Sequence, residues 1–184
     1  KRYRPVRIPG LPPLVAGAIG YFAYDMVRLL EKLPDRAEND LAMDDALLMF
    51  YLGLVVFDHV RHRVWVVRNV FTDGPWSLRA KYDAAVREIR ATRRRLAEPF
   101  AGHVRPAARR APLRVTSNMT RGKYLAAVRK SKEYIRAGDI FQVVLSQRFS
   151  AKTSADPFEI YRALRVLNPS PYMYFLKLDD TSII

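Results

Sequence analysis

Gln142 is the residue whose type and position most favour chemistry in this 184-residue chain. It lies inside the run IFQVVLSQRF at 140–149, where β-branched and aromatic residues favour a strand. Alternation along this strand places Gln142 on one face together with Val144 and Ser146. An amide among apolar neighbours needs hydrogen-bond partners. Gln142 is therefore either a structural group satisfied within the core or a polar group that lines a cavity.

Other catalytic and metal-binding patterns are not found in the sequence. The chain has no cysteine, which removes disulfides and thiolate metal ligands together. His59 and His62 lie in a predicted hairpin turn at 58–62 with no third ligand nearby, so we interpret them as exposed turn residues. No Ser/His/Asp set, phosphate-binding loop, dinucleotide fingerprint or close pair of catalytic carboxylates occurs. No metal ligand is therefore assigned in this chain.

The elements that must position Gln142 follow from helix-start and helix-stop signals. N-cap candidates at 117–120 precede a helix, and Gly138 ends it, because glycine adopts the left-handed conformation without a Cβ penalty. The residues of the predicted buried face of this helix are Tyr124, Leu125, Val128, Ser131 and Ile135. The chain then enters the predicted strand at 140–149.

A second helix and a proline-rich turn follow that strand. The helix is predicted over 157–167, after cap candidates at 154–156. The segment Asn168-Pro169-Ser170-Pro171 ends it, because prolines lack an amide hydrogen and restrict the residues before them. An apolar strand is then predicted over 172–178.

The first part of the chain predicts one hairpin. Strand candidates at 44–57 and 63–71 are joined by the turn at 58–62. Before them, the small and aromatic residues at 17–25 suit a buried turn, and a short helix at 26–33 ends before a proline. The fold class is therefore α+β, with a mostly antiparallel sheet system flanked by helices.

A long helix and a linker separate the two halves of the sequence. The helix is predicted over 75–96, because apolar residues recur there at helical spacing. Residues 98–116 lose this periodicity and are predicted to form a linker. We accordingly divide the chain into an N-terminal lobe at 1–97, the linker at 98–116, and residues 117–184, which form the first part of a second domain.

The charge balance of 32 basic and 18 acidic residues gives a net charge of +14, which is typical of proteins that bind polyanions. The arginines between 87 and 114 nevertheless fall on one helix face and the linker, without interleaved aromatic residues or a recognition motif. We therefore expect a solvated basic surface and no nucleic-acid partner. No apolar run approaches the ~20 residues that cross a bilayer, and the basic start lacks a signal-peptide core. A cytoplasmic protein without membrane contact is expected.

Four stretches resemble the chorismate-utilising enzymes, and most closely the component I family of anthranilate synthases. They are GDIFQVVLSQRF at 138–149, NPSPYMYF at 168–175, GAIGYFAYD at 17–25 and SNMTRGKYLAAVRKSKEYIRAGD at 117–139. The resemblance covers most of the chain apart from about 75–115. In the stretch around 17–25, Ala16 and Ala23 stand where relatives usually have glycines. Because relatives continue past the end of this sequence, the resemblance implies an incomplete chorismate-binding fold whose second domain is truncated.

The resemblance implies a lyase that converts chorismate and ammonia to anthranilate and pyruvate in tryptophan biosynthesis. An amidotransferase subunit, component II, would supply the ammonia from glutamine. Mg²⁺ is the implied cofactor, with glutamate ligands beyond Ile184, so this chain alone is expected to be inactive. Gln142 would lie beside the nucleophile, because relatives that make isochorismate carry there a lysine thought to activate water. A neutral amide cannot take a proton, which fits ammonia as the nucleophile.

The proline-rich turn is implied to bind tryptophan as a feedback inhibitor. The binding positions would be Pro171, Tyr172 and Met173, with the turn shaped by Asn168, Pro169 and Ser170. An aromatic ring and a thioether can pack an indole, while free backbone groups bind the amino-acid head. The alternative is a rigid turn that packs Tyr172 into the core, and the two interpretations are compatible.

Two other functions compete with this interpretation. One is component I of aminodeoxychorismate synthase, which the Tyr172-Met173 pair disfavours because that branch usually departs from this motif. The other is a basic binding module without enzymatic activity, which salt-dependent binding of nucleic acid would support.

Overall fold

The computed structural model describes residues 6, 8–36, 38–99 and 112–184. The chain separates into two compact units, Lys1–Gly102 and His103–Ile184. In each unit the described strands pair in antiparallel ladders of two strands, accompanied by helices. The α+β class with antiparallel pairing is therefore confirmed. The domain boundaries given above stay a prediction, and most of the predicted linker lies outside the described residues.

The first ladder pairs β1 (Gly17–Phe22) with β2 (Ala46–Tyr51). The prediction of a buried turn at 17–25 was wrong over these six residues, because the aromatic and branched residues of β1 find a partner almost thirty residues away. A 3₁₀ helix follows at Tyr24–Leu29 in place of the helix predicted at 26–33. Gly20 lies opposite Leu48, and a Cβ on it would overlap the carbonyl oxygen of Leu47.

The second ladder is the predicted hairpin, formed by β3 (Gly53–Asp58) and β4 (Arg63–Arg68). The Asp58 carboxylate accepts the amides of Val60 and Arg61 at 3.1 and 2.9 Å. The hydrogen bond from the Arg61 amide is the largest of the effects that lower the pKa of Asp58. His59 and His62 are exposed beside it, as expected for turn residues.

The single strand predicted at 44–57 is two strands that belong to different ladders. The break is at Leu52, whose carbonyl oxygen accepts the backbone amide of Asn69 at 2.6 Å. The side-chain amide of Asn69 also donates to Leu52 O and to Val15 O, at 3.3 and 2.5 Å. Asn69 therefore joins the crossover to the start of β1. Strand propensity alone carries no signal for this change of partner.

Helix α1 (Leu78–Ala97) packs against β4 in the first unit. It begins later than the predicted residue 75, because the Ser77 hydroxyl caps it by accepting the Ala80 amide at 3.2 Å. An ion pair between Arg68 and Glu88, 2.8 Å from Nε to Oε2, joins the helix to the strand. The opposite face carries exposed arginines, which agrees with the expected solvated surface.

The second unit begins with β5 (Val115–Ser117) and α2 (Arg121–Ala137), and β5 pairs with β6 (Phe149–Ala151). The strand β5 was not predicted, because three residues are too few for a periodic pattern. It occupies part of the stretch assigned to the linker and the cap candidates. Gly138 ends α2 with φ 83°, in the left-handed conformation that the sequence predicted.

Helix α3 (Pro157–Leu167) and the hairpin of β7 (Leu176–Leu178) and β8 (Thr181–Ile183) complete the second unit. Asp156 caps α3 by accepting the Phe158 amide at 2.8 Å. The predicted strand at 172–178 is shorter than expected, since only its last three residues have a partner strand.

The described elements enclose very little core. Among the described residues only Ala85 and Leu178 are buried, and neither unit buries a large aromatic side chain. A folded domain of this length ordinarily buries roughly 70% of the surface of its unfolded chain. Broad apolar faces of the described strands and helices are therefore open.

Replacing Gly122 inside α2 and Gly138 directly after it should have opposite effects on stability. Gly138→Ala should lower the free energy of unfolding of the second unit by about 1–2 kcal/mol, because alanine is strained at φ 83°. Gly122→Ala should raise it by up to ~1 kcal/mol, because the added Cβ meets no atom within 4 Å and alanine favours the helix. Urea unfolding followed by far-UV circular dichroism measures both. Equal shifts for the two variants would contradict this assignment.

Candidate functional site

Gln142 lies in a segment that connects the end of α2 to β6. Gly138 N donates to Ile135 O at 3.2 Å, and Asp139 N donates to Tyr134 O at 3.0 Å, which closes the end of the helix. The next residues do not form the strand predicted at 140–149, which is correct only from Phe149 onward. A strand needs a partner ladder, and residues 140–148 have none among the described strands.

The Gln142 side chain is exposed, and it forms no hydrogen bond with another described residue. Its neighbours are open as well, since Phe141 is 93% exposed and Val144 is 82% exposed. The interpretation of Gln142 as a core residue satisfied by local hydrogen bonds is therefore wrong within the described chain. Its amide is available to a ligand or to other protein surface, and its catalytic role stays a prediction.

A polar cluster holds the far end of this segment. The Arg148 amide donates to Asn118 Oδ1 at 3.0 Å, and the Asn118 amide donates to Arg148 O at 3.1 Å. Beside this pair, the side-chain amide of Gln147 donates to Ser117 Oγ at 2.7 Å. Sequence reasoning treated 117–120 only as cap candidates, of which Thr120 caps α2 through the Lys123 amide at 3.3 Å. An asparagine before a cap residue was the available signal, because its side chain readily bonds nearby backbone.

The proline-rich turn lies on the surface of the second unit. Asn168 ends α3, and its amide donates to Leu164 O at 2.9 Å. Tyr172 is 88% exposed, whereas Met173 is half-buried. The alternative in which this turn packs Tyr172 into the core is therefore wrong within the described chain.

Three aromatic rings from the residues before and after the turn pack against one another. Phe158 and Tyr161 of α3 meet Phe175, with ring centroids 5.3 and 5.8 Å from that of Phe175. The two rings of α3 stack at 5.9 Å, and the Arg165 guanidinium lies 5.9 Å from the Tyr161 centroid. Such aromatic contacts each contribute about 0.5–1.5 kcal/mol beyond area burial. This cluster fixes the chain on both sides of the turn while the ring of Tyr172 faces solvent.

The cavity of the first unit is not lined by the predicted site residues. A cavity of about 210 Å³ lies in the first unit between β3, β4 and α1, and the Arg68–Glu88 pair is part of its lining. Neither Gln142 nor the proline-rich turn contributes to it. Among residues 6, 8–36, 38–99 and 112–184, no group of three or more His, Cys, Asp or Glu side chains could hold a metal ion. In the same residues no helix is long and apolar enough to cross a bilayer.

Known proteins of one family match this chain over nearly its whole length. The family model described as chorismate binding enzyme matches residues 2–184. Anthranilate synthase component 1 of Acetivibrio thermocellus is 40% identical over 190 residues, covering 100% of this chain and 38% of that protein. The alpha subunit 1, chloroplastic, of Arabidopsis thaliana anthranilate synthase is 42% identical over 184 residues, covering 94% of this chain and 31% of the relative.

A solved structure agrees with these sequence relatives. The crystal structure of anthranilate synthase component I from Streptococcus pneumoniae TIGR4 matches with a TM-score of 0.81 and 30% identity. The match covers 98% of this chain and 40% of that protein. The chain therefore spans less than half the length of the relatives it matches.

Proposed function

The chain belongs to the family of chorismate-binding enzymes, and on that premise we propose that it is part of an anthranilate synthase component I. The observation that carries the proposal is the 40% identity that extends over the whole chain. In the proposed reaction ammonia adds at C2 of chorismate, the C4 hydroxyl group leaves, and elimination of pyruvate gives anthranilate. Component II would release the ammonia from glutamine, and the pathway would serve tryptophan biosynthesis in the cytoplasm.

Gln142 is proposed to lie beside the ammonia nucleophile. A primary amide suits this role, because it can donate and accept hydrogen bonds but cannot remove a proton at neutral pH. A group of this kind orients ammonia without activating water. The amide therefore favours amination over hydroxylation of the substrate.

Mg²⁺ is the proposed cofactor, but the described residues do not fit a magnesium site of their own. Magnesium prefers carboxylate oxygens in octahedral geometry, and no acidic cluster of the described chain offers them. We place its ligands in the part of the longer relatives that this chain does not cover.

The direct test is product analysis with the full-length protein that carries this chain. Chorismate, Mg²⁺ and ammonium should yield anthranilate, followed by its fluorescence, together with an equal amount of pyruvate. Amination without pyruvate release would favour the aminodeoxychorismate synthase alternative. No aminated product at all would contradict the proposed function.

The turn at 168–173 is the proposed site for tryptophan as a feedback inhibitor. The exposed ring of Tyr172 and the half-buried thioether of Met173 could pack an indole, and the cluster behind them holds the turn in place. Tryptophan inhibits only if it binds one conformation better than another. Such coupling is typically ~1–3 kcal/mol.

Substitutions in this turn should separate inhibition from catalysis. Pro171→Ser or Met173→Thr in the full-length enzyme should raise the half-inhibitory tryptophan concentration about tenfold, while kcat stays within twofold. The reason is that each variant removes a contact to the indole or the rigid backbone that presents it. Val166→Thr is the matched control, because Val166 is 83% exposed on the neighbouring helix and lies outside the turn. Parental tryptophan sensitivity in both turn variants would disprove this site.

A further inference from the structure

The segment at 140–148, which carries Gln142, is held by hydrogen bonds at two points, which we call its fastenings. These two points lie near opposite ends of α2. At one end the Gly138 and Asp139 amides close the helix. At the other end Asn118, which precedes α2 in sequence, pairs with Arg148. Between the two points, residues 140–146 form no backbone hydrogen bond with described residues. The position of Gln142 therefore depends on these two fastenings within the described chain.

The two fastenings confine the path of the segment. Helix α2 has 17 residues and so spans about 25 Å. The stretch 139–148 spans at most about 30 Å when it is fully extended. The segment therefore runs between the two ends of α2 with a limited choice of paths.

Asn118 fastens the segment where regular strand pairing stops. The ladder of β5 and β6 ends with Ser117 opposite Phe149. At the next pair the Asn118 amide still donates to Arg148 O, but the chain then turns into the cap of α2 at Thr120. The Asn118 side chain supplies the return acceptor, since the Arg148 amide donates to Oδ1 at 3.0 Å. A side-chain carbonyl thus replaces a backbone carbonyl and adds one more pair to the ladder.

Gln147 adds a second fastening beside the first. Its side-chain amide donates to Ser117 Oγ at 2.7 Å, and the same hydroxyl donates to Met119 O at 2.8 Å. Two successive residues of the segment, Gln147 and Arg148, are therefore tied to two successive residues of the β5 end. This double connection is specific for one register. A slip by one residue would break both connections and turn each side chain of the segment to the opposite face.

We propose that Asn118 and Gln147 are positioning residues that fix the register of 140–148 and thereby the direction of the Gln142 amide. The inference rests on the proposed function, in which Gln142 orients ammonia. Neither residue touches the reacting atoms in this account. Their removal should therefore impair the use of ammonia more than the binding of chorismate.

The test compares variants of the full-length enzyme in steady-state kinetics with ammonia and chorismate varied separately. Asn118→Ala removes the acceptor, whereas Asn118→Asp keeps an oxygen at the same place. Gln147→Ala removes only the side-chain connection. Thr116→Val is the matched control, because it deletes a side-chain hydrogen bond of the same ladder, from Thr116 Oγ1 to Ser150 O at 3.3 Å, without touching the segment. Hydrogen exchange of the Arg148 amide reports the fastening independently of activity.

We expect Asn118→Ala and Gln147→Ala to raise the KM for ammonia by up to about tenfold, as the loss of one hydrogen bond allows. The KM for chorismate should stay within twofold, Asn118→Asp should restore the parental value, and Thr116→Val should change neither constant. The Arg148 amide should exchange faster than in the parent enzyme in Asn118→Ala but not in Asn118→Asp. If Asn118→Ala fails to fold, Gln147→Ala carries the kinetic test.

An unchanged KM for ammonia in Gln147→Ala, or equal changes for both substrates, would overturn the inference. Faster exchange with parental kinetics would likewise show that the fastening is structural only. A parent enzyme that makes no anthranilate would instead contradict the proposed function, and the exchange rates would still decide whether Asn118 fastens the segment.

Discussion

Replacing Gln142 with lysine in the full-length enzyme is expected to lower ammonia-dependent anthranilate formation by about 100-fold and to create a water-derived, hydroxylated product. The reason is that a neutral lysine amine can take a proton from water, which an amide cannot do. Positioned general bases typically accelerate such proton transfers by about 10²–10⁴-fold. Chromatography of the products formed from chorismate with and without ammonium measures both effects.

Gln142→Met is the matched control for this change. Methionine has a similar length but offers neither a base nor an amide, so anthranilate formation should fall without any hydroxylated product. Full ammonia-dependent activity in the lysine variant, with no water-derived product, would remove Gln142 from the proposed role. The two variants together distinguish a missing hydrogen bond from a newly introduced base.

Gly20→Ala is expected to have the largest effect on stability, destabilising the first unit by about 3 kcal/mol. The added Cβ would overlap the Leu47 carbonyl oxygen and crowd Leu48 Cα, which belong to backbone and cannot rotate away. The ladder of β1 and β2 would have to separate. Both tryptophans of the chain, Trp65 and Trp76, lie in the first unit, so the urea midpoint of tryptophan fluorescence reports this unit selectively.

Gly53→Ala is the matched control, because its Cβ would approach only a side-chain atom, at the end of Arg68, at 3.3 Å. That contact is longer than the overlap with backbone at Gly20, so the urea midpoint should shift much less than in Gly20→Ala. Similar midpoints for the two variants would contradict the close approach of β1 and β2.

The helices were predictable from sequence because their signals are local. Gly138 at the end of α2 and Pro157 at the start of α3 act through the conformation of one or two residues. Both helices accordingly occur where the sequence placed them. The antiparallel hairpin at 58–62 was predictable for the same reason, since a short turn joins two adjacent strands.

Strand partners were not predictable, because they depend on residues far apart in the chain. The run at 44–57 reads as one strand, yet Asn69 contacts at Leu52 divide it between two ladders. The run at 140–149 has strand composition, but only Phe149 and the residues after it meet a partner in the described chain. Propensity indicates that a segment can enter a sheet and says little about what it pairs with.

The candidate site was predictable only in part. The position of Gln142 in the chain follows from the sequence, whereas its exposure and the hydrogen bond between Asn118 and Arg148 require the structure. The proposed role of the proline-rich turn rests on resemblance, and the exposure of Tyr172 could not be inferred from its apolar neighbours.

A segment exchange tests most directly whether this chain is part of an anthranilate synthase component I. Residues 1–184 replace the matching segment of the Acetivibrio thermocellus anthranilate synthase component 1, which is 40% identical to this chain. The measurement is anthranilate fluorescence with chorismate, Mg²⁺ and ammonium, alongside the isolated chain and the unaltered relative. We expect anthranilate from the chimera and none from the isolated chain. A soluble, folded chimera that makes no anthranilate, or turnover by the isolated chain, would contradict this expectation.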